Sequence, residues 1–169
     1  MNSSIPKAID LEVQAGTAED LPSIEPLWIA LYENQYQSNM LLRIPPNGFA
    51  LWRKSVEVAL GRFSCLFVIE EAGRIVGFLA GRIRSLPPHF GGGFVGFVSE
   101  VYVSDSHRGQ GLGRKLLAAA TEWFLAHKIE RVELQVLVEN TGARELYRSM
   151  GWVDELVQMV WHPPGKTEC

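Results

Sequence analysis

Length, composition and charge narrow the possibilities before any motif is considered. The chain has 169 residues, 47% of them hydrophobic and 21% charged, which is enough to bury one core and too few for two ordinary domains. A net charge of −3, without any block of lysines and arginines, disfavours a nucleic-acid partner. We therefore expect a single domain over 1–169, with its core over about 11–162 and flexible tails at 1–10 and 163–169.

The amino-terminal residues and the cysteines bear on where the protein works. The first ten residues are polar and include a proline where a signal peptide needs an apolar stretch, and no later stretch approaches membrane-spanning length. The two cysteines, Cys65 and Cys169, suggest neither a disulfide framework nor a zinc cluster. We expect a cytoplasmic protein with no membrane partner and no metal.

The predicted elements begin with a short strand at 11–15 and a helix. Thr17 followed by Asp20 resembles a capping box that opens this helix, which continues through Leu31. After an irregular stretch, apolar residues recur at helical spacing over 49–60 and predict a second helix.

A predominantly β region follows. Two β-rich runs, 65–70 and 75–83, are joined by a turn-like stretch and predict an antiparallel hairpin. A loop rich in proline and glycine then leads into 94–103, which is too β-branched and aromatic for a helix. This run is the predicted fourth strand.

The last third of the chain alternates helix and strand. A helix beginning near Leu112, a strand at 132–138 and a helix stopped by Gly151 are followed by 157–161, a candidate closing strand. Because hairpins precede a single strand–helix–strand crossover, we expect an α/β fold of the α+β kind. Its central sheet is expected to be mixed and mostly antiparallel, with about six to seven strands and helices on both faces.

A glycine-rich stretch lies between the predicted fourth strand and the helix after it. Glycine lets a backbone approach a ligand closely, and the first amides of a helix are free to bind an anion. Flanking arginines add positive charge, so a pyrophosphate is the expected ligand. The stretch runs Arg108-Gly109-Gln110-Gly111-Leu112-Gly113-Arg114.

Two common phosphate motifs do not account for this loop. A dinucleotide fingerprint needs a third glycine where Arg114 or Leu116 stands, depending on the register. A P-loop needs Gly-Lys-Ser or Gly-Lys-Thr, and the chain has that sequence only in its tail, at 165–167. A nucleotide-binding domain is therefore a weak alternative.

The loop and its surroundings resemble the GNAT superfamily of acetyl-CoA-dependent N-acetyltransferases. The family signature, Arg/Gln-x-x-Gly-x-Gly/Ala after the fourth strand, corresponds to 108–113, and the likeness extends to 100–103 before it and 140–152 after it. The resemblance implies acetyl-CoA as cosubstrate, with its pyrophosphate held by the backbone of 110–114. It implies cofactor contacts from Val101, Tyr102, Val103, Arg108, Gly109, Gln110, Gly111, Leu112, Gly113, Arg114, Asn140, Ala143 and Tyr147.

Two residues are candidates for acid–base catalysis. Alternation along the fourth strand places Val98, Glu100 and Tyr102 on one face, where a half-buried Glu100 would be a base for an incoming ammonium; the alternative is a carboxylate facing solvent or an arginine. Tyr147 falls on an apolar helix stripe typical of the core, and the family resemblance favours it as the acid for the departing thiolate. Asn140 either caps that helix or binds the pantetheine arm.

Other groups are reserves for the chemistry. A backbone N–H near Val101 or Tyr102 is a candidate donor to the developing oxyanion. His107, His89 and Asp105 are reserve bases, and Cys65 offers a weak acyl-cysteine alternative.

The acceptor is the least defined partner. The acidic residues between Asp10 and Glu33, with no lysine or arginine among them, suit a cationic acceptor, although such residues more often only solvate a helix. A polyamine, an amino sugar, an amino acid and a protein amine stay open, as do a homodimer and a CoA-binding sensor without turnover. The candidates for the acceptor wall are Trp28, Tyr32, Glu33, Tyr36 and Phe90.

Overall fold

The structure is a computed structural model that describes residues 10–40, 42–161 and 163. The expected flexible tails therefore lie outside the described residues, apart from Asp10 and Pro163. Short 3₁₀ turns at Pro88–Phe90 and Asp105–His107 flank the fourth strand. The longer elements are β1 (Val13–Ala15), α1 (Leu21–Gln37), α2 (Gly48–Ala59), β2 (Ser64–Glu71), β3 (Arg74–Ser85), β4 (Phe94–Val103), α3 (Leu112–Ala126), β5 (Val132–Leu134) and α4 (Thr141–Ser149).

The strands form one mixed sheet in the order β1-β2-β3-β4-β5. Neighbours are antiparallel except β4 and β5, which are parallel and joined through α3. The predicted mixed, mostly antiparallel architecture is confirmed, and within the described residues the sheet has five strands rather than six to seven.

The difference in strand number arises at the carboxyl-terminal edge of the sheet. β5 ends at Leu134 instead of continuing to residue 138, and the predicted strand at 157–161 has no regular structure. Side-chain bonds lie next to the two segments: Arg131, just before β5, bonds Glu155, and Gln135, just after it, bonds Gln158. A closing strand requires backbone pairing, and these side-chain contacts do not supply it.

Helices cover both faces of the sheet, as expected. α1 and α2 pack on one face around an aromatic cluster in which Trp28 lies 5.6 Å from Phe49 and 6.0 Å from Trp52, measured between ring centroids. α3 and α4 pack on the other face, where Phe124 and Leu116 are fully buried. No helix within the described residues has the length and hydrophobicity needed to cross a bilayer.

A β-bulge in β4 alters the predicted alternation of its side chains. Glu100 pairs with Ala80, but the next pair is Val98 with Gly81, so Ser99 is an extra residue in β4. Glu100 consequently lines the α1–α2 side, whereas Val98 belongs to the core under α3. The expectation that Val98 shares a face with Glu100 was wrong, because strict alternation does not continue through a bulge.

The close approach of α3 to the sheet depends on Gly96 of β4. A Cβ built on Gly96 would lie 2.7 Å from Cδ1 of Phe124. We expect Gly96→Ala to lower the free energy of unfolding by about 1–3 kcal/mol, since overpacking displaces the ring or the strand. Gly142→Ala in α4 is the matched control, because no other described residue approaches its Cβ position within 4 Å. Urea unfolding measures both variants, and equal stabilities would show that Phe124 moves aside freely.

Candidate active site

The glycine-rich loop joins β4 to α3 at the end of the sheet. Gly109 and Gly111 have φ values of 75° and 78°, a left-handed conformation that glycine adopts without strain. In the part of the chain that the structure describes, no neighbouring side chain or strand lies within 4 Å of a Cβ built at either position, so the backbone there is open to a ligand. Gly113 differs, because a Cβ built on it would lie 3.3 Å from Leu146. The absence of a side chain at Gly113 therefore allows α3 to pack closely on α4.

The loop presents the free amides of a helix amino terminus. The first hydrogen bond of α3 runs from the Lys115 amide to the Gly111 carbonyl, 3.1 Å away. The amides of Leu112, Gly113 and Arg114 precede that bond and have no carbonyl one turn back. Together with the positive end of the helix they form a site suited to phosphate oxygens.

Two arginines flank these amides and are held by the protein itself. Arg108 donates through Nε to the Val103 carbonyl at 3.2 Å and pairs with Asp105 at 2.9 Å, while its side chain stays half exposed. Arg114 donates to Ser149 of α4 at 2.7 Å. Both guanidinium groups thus lie beside the loop, where they add the positive charge that the sequence predicted.

An opening between β4 and β5 leads from this loop into the sheet. Among the described residues, the two strands pair only from Gly96 to Val98, opposite Val132–Leu134, and the rest of β4 pairs with β3 alone. Val101 and Val103 face the α3 side of that free stretch. Tyr102 faces the other side, where its hydroxyl donates to Asp105 at 3.3 Å. The free edge is a place where an extended polar ligand can pair with backbone groups.

Glu100 is buried beside a small cavity on the α1–α2 side of β4. It is 6% exposed, and the Tyr32 hydroxyl donates to its Oε1 at 3.2 Å. Its Oε2 is buried without a hydrogen-bond partner in the described part of the chain, although a buried carboxylate oxygen normally has one. The cavity has a volume of about 190 Å³, and its lining includes Trp52, Ser55, Phe63, Arg82, Ser99 and Glu100.

The surroundings tune Glu100 toward proton transfer. Burial raises the pKa of Glu100, and the polar neighbours Ser99, Trp52 and Tyr32 partly oppose that rise. Burial, followed by the adjacent Glu100 charge, also raises the pKa of Tyr32, which therefore keeps its proton and remains a donor. A carboxylate that lines a cavity, has a raised pKa and keeps one oxygen without a hydrogen-bond partner among the described residues is chemically suited to accept a proton.

Tyr147 lies on the opposite side of the sheet from Glu100. It is 9% exposed in the core between α3 and α4, and its ring centroid is 6.2 Å from that of Trp152. Burial raises the pKa of Tyr147 to about 12, so the phenol holds its proton. Its hydroxyl has no hydrogen-bond partner among the described residues and is free to serve a ligand.

The remaining cofactor candidates lie at the start of α4. The Asn140 side chain accepts a hydrogen bond from the Ala143 amide at 3.2 Å, which is the helix-capping arrangement considered from the sequence. Ala143 is partly buried against the α3 core.

The residues expected at the acceptor wall do not converge. Tyr32 contacts Glu100, as described, but Trp28 is the buried centre of the aromatic cluster. The Tyr36 hydroxyl accepts from the Ile44 amide at 2.7 Å and fixes the loop after α1. Glu33 and Phe90 are exposed.

The reserve groups are engaged elsewhere. His107 Nε2 lies 2.9 Å from a Glu71 carboxylate oxygen, beside the loop rather than in the Glu100 cavity. Asp105 pairs with Arg108. Burial raises the pKa of the Cys65 thiol to about 12, which disfavours the thiolate that an acyl-cysteine route requires.

The other polar residues of the cavity were not predicted from the sequence. Arg82 is brought to Glu100 by strand pairing between β3 and β4, and Ser99 by the bulge. A charged residue within an apolar strand was the signal that selected Glu100, and the same signal was present at Arg82. Trp52 gave no such signal, since its helical spacing is that of a core residue.

Comparison with known proteins places this arrangement in a family. The sequence model of the Acetyltransferase (GNAT) family matches residues 22–152. The N-acetyltransferase YobR of Bacillus subtilis (strain 168) is 39% identical over 57 residues, covering 34% of this chain and 23% of that protein. N-alpha-acetyltransferase 40 of Saccharomyces cerevisiae is 34% identical over 100 residues, covering 55% of this chain and 32% of that protein. The chain thus spans less than a third of the length of either relative.

Solved structures share the fold at lower sequence identity. The aminoglycoside N-acetyltransferase AAC(6')-Iy, solved in complex with CoA, matches with a TM-score of 0.74 at 16% identity, covering 95% of this chain and 99% of that one. At this identity the likeness shows the fold alone. The family match, however, runs from the second residue of α1 to Trp152, beyond the end of α4. The chain therefore belongs to the GNAT family of acetyltransferases.

Proposed function

We propose that the protein is an N-acetyltransferase that moves an acetyl group from acetyl-CoA to a primary amine by direct attack in a ternary complex. The observation that carries this proposal is Glu100, which lines a cavity from the strand that leads to the anion-binding loop and whose Oε2 has no hydrogen-bond partner among the described residues. When bound, acetyl-CoA supplies the acetyl group as a thioester, which is activated toward attack by an amine.

The residues present fit such a cosubstrate. The open backbone at Gly109 and Gly111 and the free amides of the first turn of α3 suit the pyrophosphate, with Arg108 and Arg114 beside them. The unpaired stretch of β4 suits the polar pantetheine arm. In this proposal Gln110, Leu112 and Gly113 contribute backbone amides, Val101, Tyr102 and Val103 contribute the strand edge, and Asn140, Ala143 and Tyr147 lie on the α4 side.

Glu100 is proposed as the base. An alkyl ammonium has a pKa of roughly 10.4, so only about one amine in 10³ is free at neutral pH and a proton acceptor is required. Its raised pKa makes Glu100 a stronger base than an exposed carboxylate, directly or through a water molecule.

Tyr147 is proposed as the acid. It gives a proton to the sulfur that leaves, and its raised pKa of about 12 keeps that proton in place until the thiolate forms. The acceptor nitrogen loses two protons in all. Glu100 takes the first before the attack and passes it to water. The second leaves after the attack and returns through solvent to Tyr147. The cytoplasmic location and the possible homodimer stay predictions from the sequence.

Thermal unfolding with and without acetyl-CoA is the first test. A ligand that binds only the folded state raises the melting temperature, so we expect stabilisation by acetyl-CoA and none by NAD or ATP at equal concentration. Release of free thiol on adding amines then tests transfer. Selective stabilisation without thiol release from any amine would contradict the proposal and favour a CoA-binding sensor.

The role of Tyr147 gives a separate prediction. We expect Tyr147→Phe to lower kcat by about 10²- to 10⁴-fold, because a positioned general acid contributes that much, while leaving the affinity for CoA nearly unchanged. Single-turnover thiol release and calorimetric titration with CoA measure the two quantities. Tyr36→Phe is the control, since the Tyr36 hydroxyl accepts from the Ile44 amide and the residue lines neither the loop nor the Glu100 cavity. Unchanged kcat in Tyr147→Phe would remove it as the acid.

A further inference from the structure

The cavity that contains Glu100 also holds a positive charge. Arg82 lines it from β3, where it pairs with Phe97 of β4, while Ala80 pairs with Glu100. The two charged side chains therefore project into the same space from neighbouring strands. They form no ion pair with each other, although the Arg82 charge acts on the Glu100 carboxyl through space.

Arg82 has no carboxylate partner in the described part of the chain. Its guanidinium lies 5.5 Å from the centroid of the Phe97 ring, its aromatic neighbour. The next arginine on the same face behaves differently: Arg84 pairs with Glu133 of β5 at 3.1 Å. An arginine beside a cavity with its fork of donors uncommitted is suited to a carboxylate, which it binds with two parallel hydrogen bonds.

Size and charge at the cavity argue against large polycationic acceptors. Pockets for drug-sized ligands measure roughly 300–1,000 Å³. This cavity is smaller, at about 190 Å³. Arg62, whose guanidinium lies 4.9 Å from the centroid of the lining residue Phe63, adds a second positive charge near its rim. A ligand with several ammonium groups would be repelled there.

The first two acidic residues of the stretch near the amino terminus do not offset these positive charges. Asp10 pairs with Lys115 of α3, and Glu12 lies 4.0 Å from the same ammonium. These two carboxylates are therefore committed to α3, on the other side of the sheet from the Glu100 cavity. The cationic acceptor that the stretch suggested gains no support from them.

We infer that the acceptor is a small amine that also carries a carboxylate, of the amino-acid class. Its ammonium faces Oε2 of Glu100, and its carboxylate binds the guanidinium of Arg82. One such ligand pairs both charges that the cavity leaves without a partner. This inference rests on the proposed function, because it names the acceptor of that reaction.

The test compares acceptors that differ only in the carboxylate. Thiol release from acetyl-CoA is measured for a panel of L-amino acids, the amide of each, and the amine that remains when the carboxylate is removed. For each amino acid that is acetylated, kcat/KM for the acid is expected to exceed that for its amide by roughly 10- to 100-fold, the size of a hydrogen-bonded charge interaction.

Two variants assign that preference to Arg82. Arg82→Gln is expected to lower kcat/KM for the acid by roughly 10- to 100-fold and that for the amide far less. Arg84→Gln is the matched control: it removes a positive charge two residues away on β3, and Glu133 keeps its second partner, Arg131. This control is expected to retain the preference for the acid.

Ligand binding is measured separately, as a thermal shift of the CoA-bound protein by each panel member. The inference is overturned if kcat/KM for the amides and amines equals that for the acids and Arg82→Gln changes all of them alike. Acetyl transfer would still stand. Stabilisation by acids alone, lost in Arg82→Gln, without thiol release sustains the inference about the ligand and overturns transfer. If no panel member stabilises the protein and none releases thiol, both the inference about the ligand and the proposal of acetyl transfer are overturned.

Discussion

Replacing Glu100 by glutamine is expected to lower kcat/KM for the amine by about 10²- to 10⁴-fold, the contribution of a well-placed general base. The substitution preserves the shape of the side chain and an oxygen to accept the Tyr32 hydrogen bond, so the cavity keeps its form. It removes only the ability to take a proton. Initial rates across a range of pH measure the effect.

The pH profile separates this role from a structural one. A base must be ionised, so kcat/KM of the wild type should rise with pH through the raised pKa of Glu100. Glu100→Gln should lose that limb of the profile. Glu70→Gln, which changes an exposed carboxylate on β2, is the control and should retain it. If the limb persists in Glu100→Gln, another group is the base.

The same variant is expected to be more stable than the wild type at neutral pH. The pKa of Glu100 is higher in the folded protein than its ordinary value of 4.5, so the folded state binds the proton more tightly. The protonated Glu100 therefore contributes to the stability of the folded state below pH 4.5, and this contribution is lost as the pH rises through the pKa of Glu100 in the folded protein. Because glutamine is always neutral, Glu100→Gln avoids the buried charge.

Calorimetry at pH 7 and below pH 4.5 measures this difference in stability. We expect the melting temperature of Glu100→Gln to exceed that of the wild type at pH 7, by roughly 2–4 °C for each kcal/mol gained, and the gap to shrink in acid. A loss of activity joined to a gain in stability is the signature of a group retained for function. A variant equally destabilised at both pH values would instead indicate a packing role.

Local signals predicted most of the fold. The hairpin of β2 and β3 was visible because a turn-like stretch with Gly73 separates two β-rich runs, and Gly73 adopts the positive φ that glycine tolerates. β4 spans the predicted 94–103, and α3 begins at the predicted Leu112. In each case the pattern of apolar residues and the turn chemistry between them point to the same structure.

What the sequence did not predict depends on contacts between distant segments. Whether 157–161 pairs with the sheet is decided by the backbone of β5, which leaves the ladder after Leu134. The bulge at Ser99 arises from the register between β3 and β4, which single-strand periodicity cannot express. That extra residue also decides which side chains share a face with Glu100.

The two halves of the candidate site were predictable to different degrees. The anion loop is continuous in sequence, so its glycines and the start of α3 identified it directly. The acceptor cavity combines α2, β3 and β4, and only Glu100 among its lining residues was selected from the sequence. Trp28 was predicted at the acceptor wall because it is aromatic, but large aromatic residues are more often buried in the core, as Trp28 is.

Replacing Gly111 by valine is expected to weaken CoA binding by roughly 10²-fold or more, since several charge-assisted hydrogen bonds from the loop amides depend on close approach. The residue has φ 78° at the start of α3, and the space beside it is open. A branched side chain would occupy that space and strain the backbone as well. The two effects must therefore be measured apart.

Gly61→Val supplies the matched control for strain. Gly61 has φ 80° and its Cβ position is likewise clear, by 4 Å, of the residues that the structure describes, but it lies after α2, far along the chain from the loop. Both variants should lose stability, about 1–2 kcal/mol for a left-handed non-glycine residue. Titration calorimetry with CoA should then show weakened binding in Gly111→Val alone. Equal affinity in both would mean that the anion contacts lie elsewhere, because open left-handed backbone at Gly111 is the feature on which the loop assignment rests.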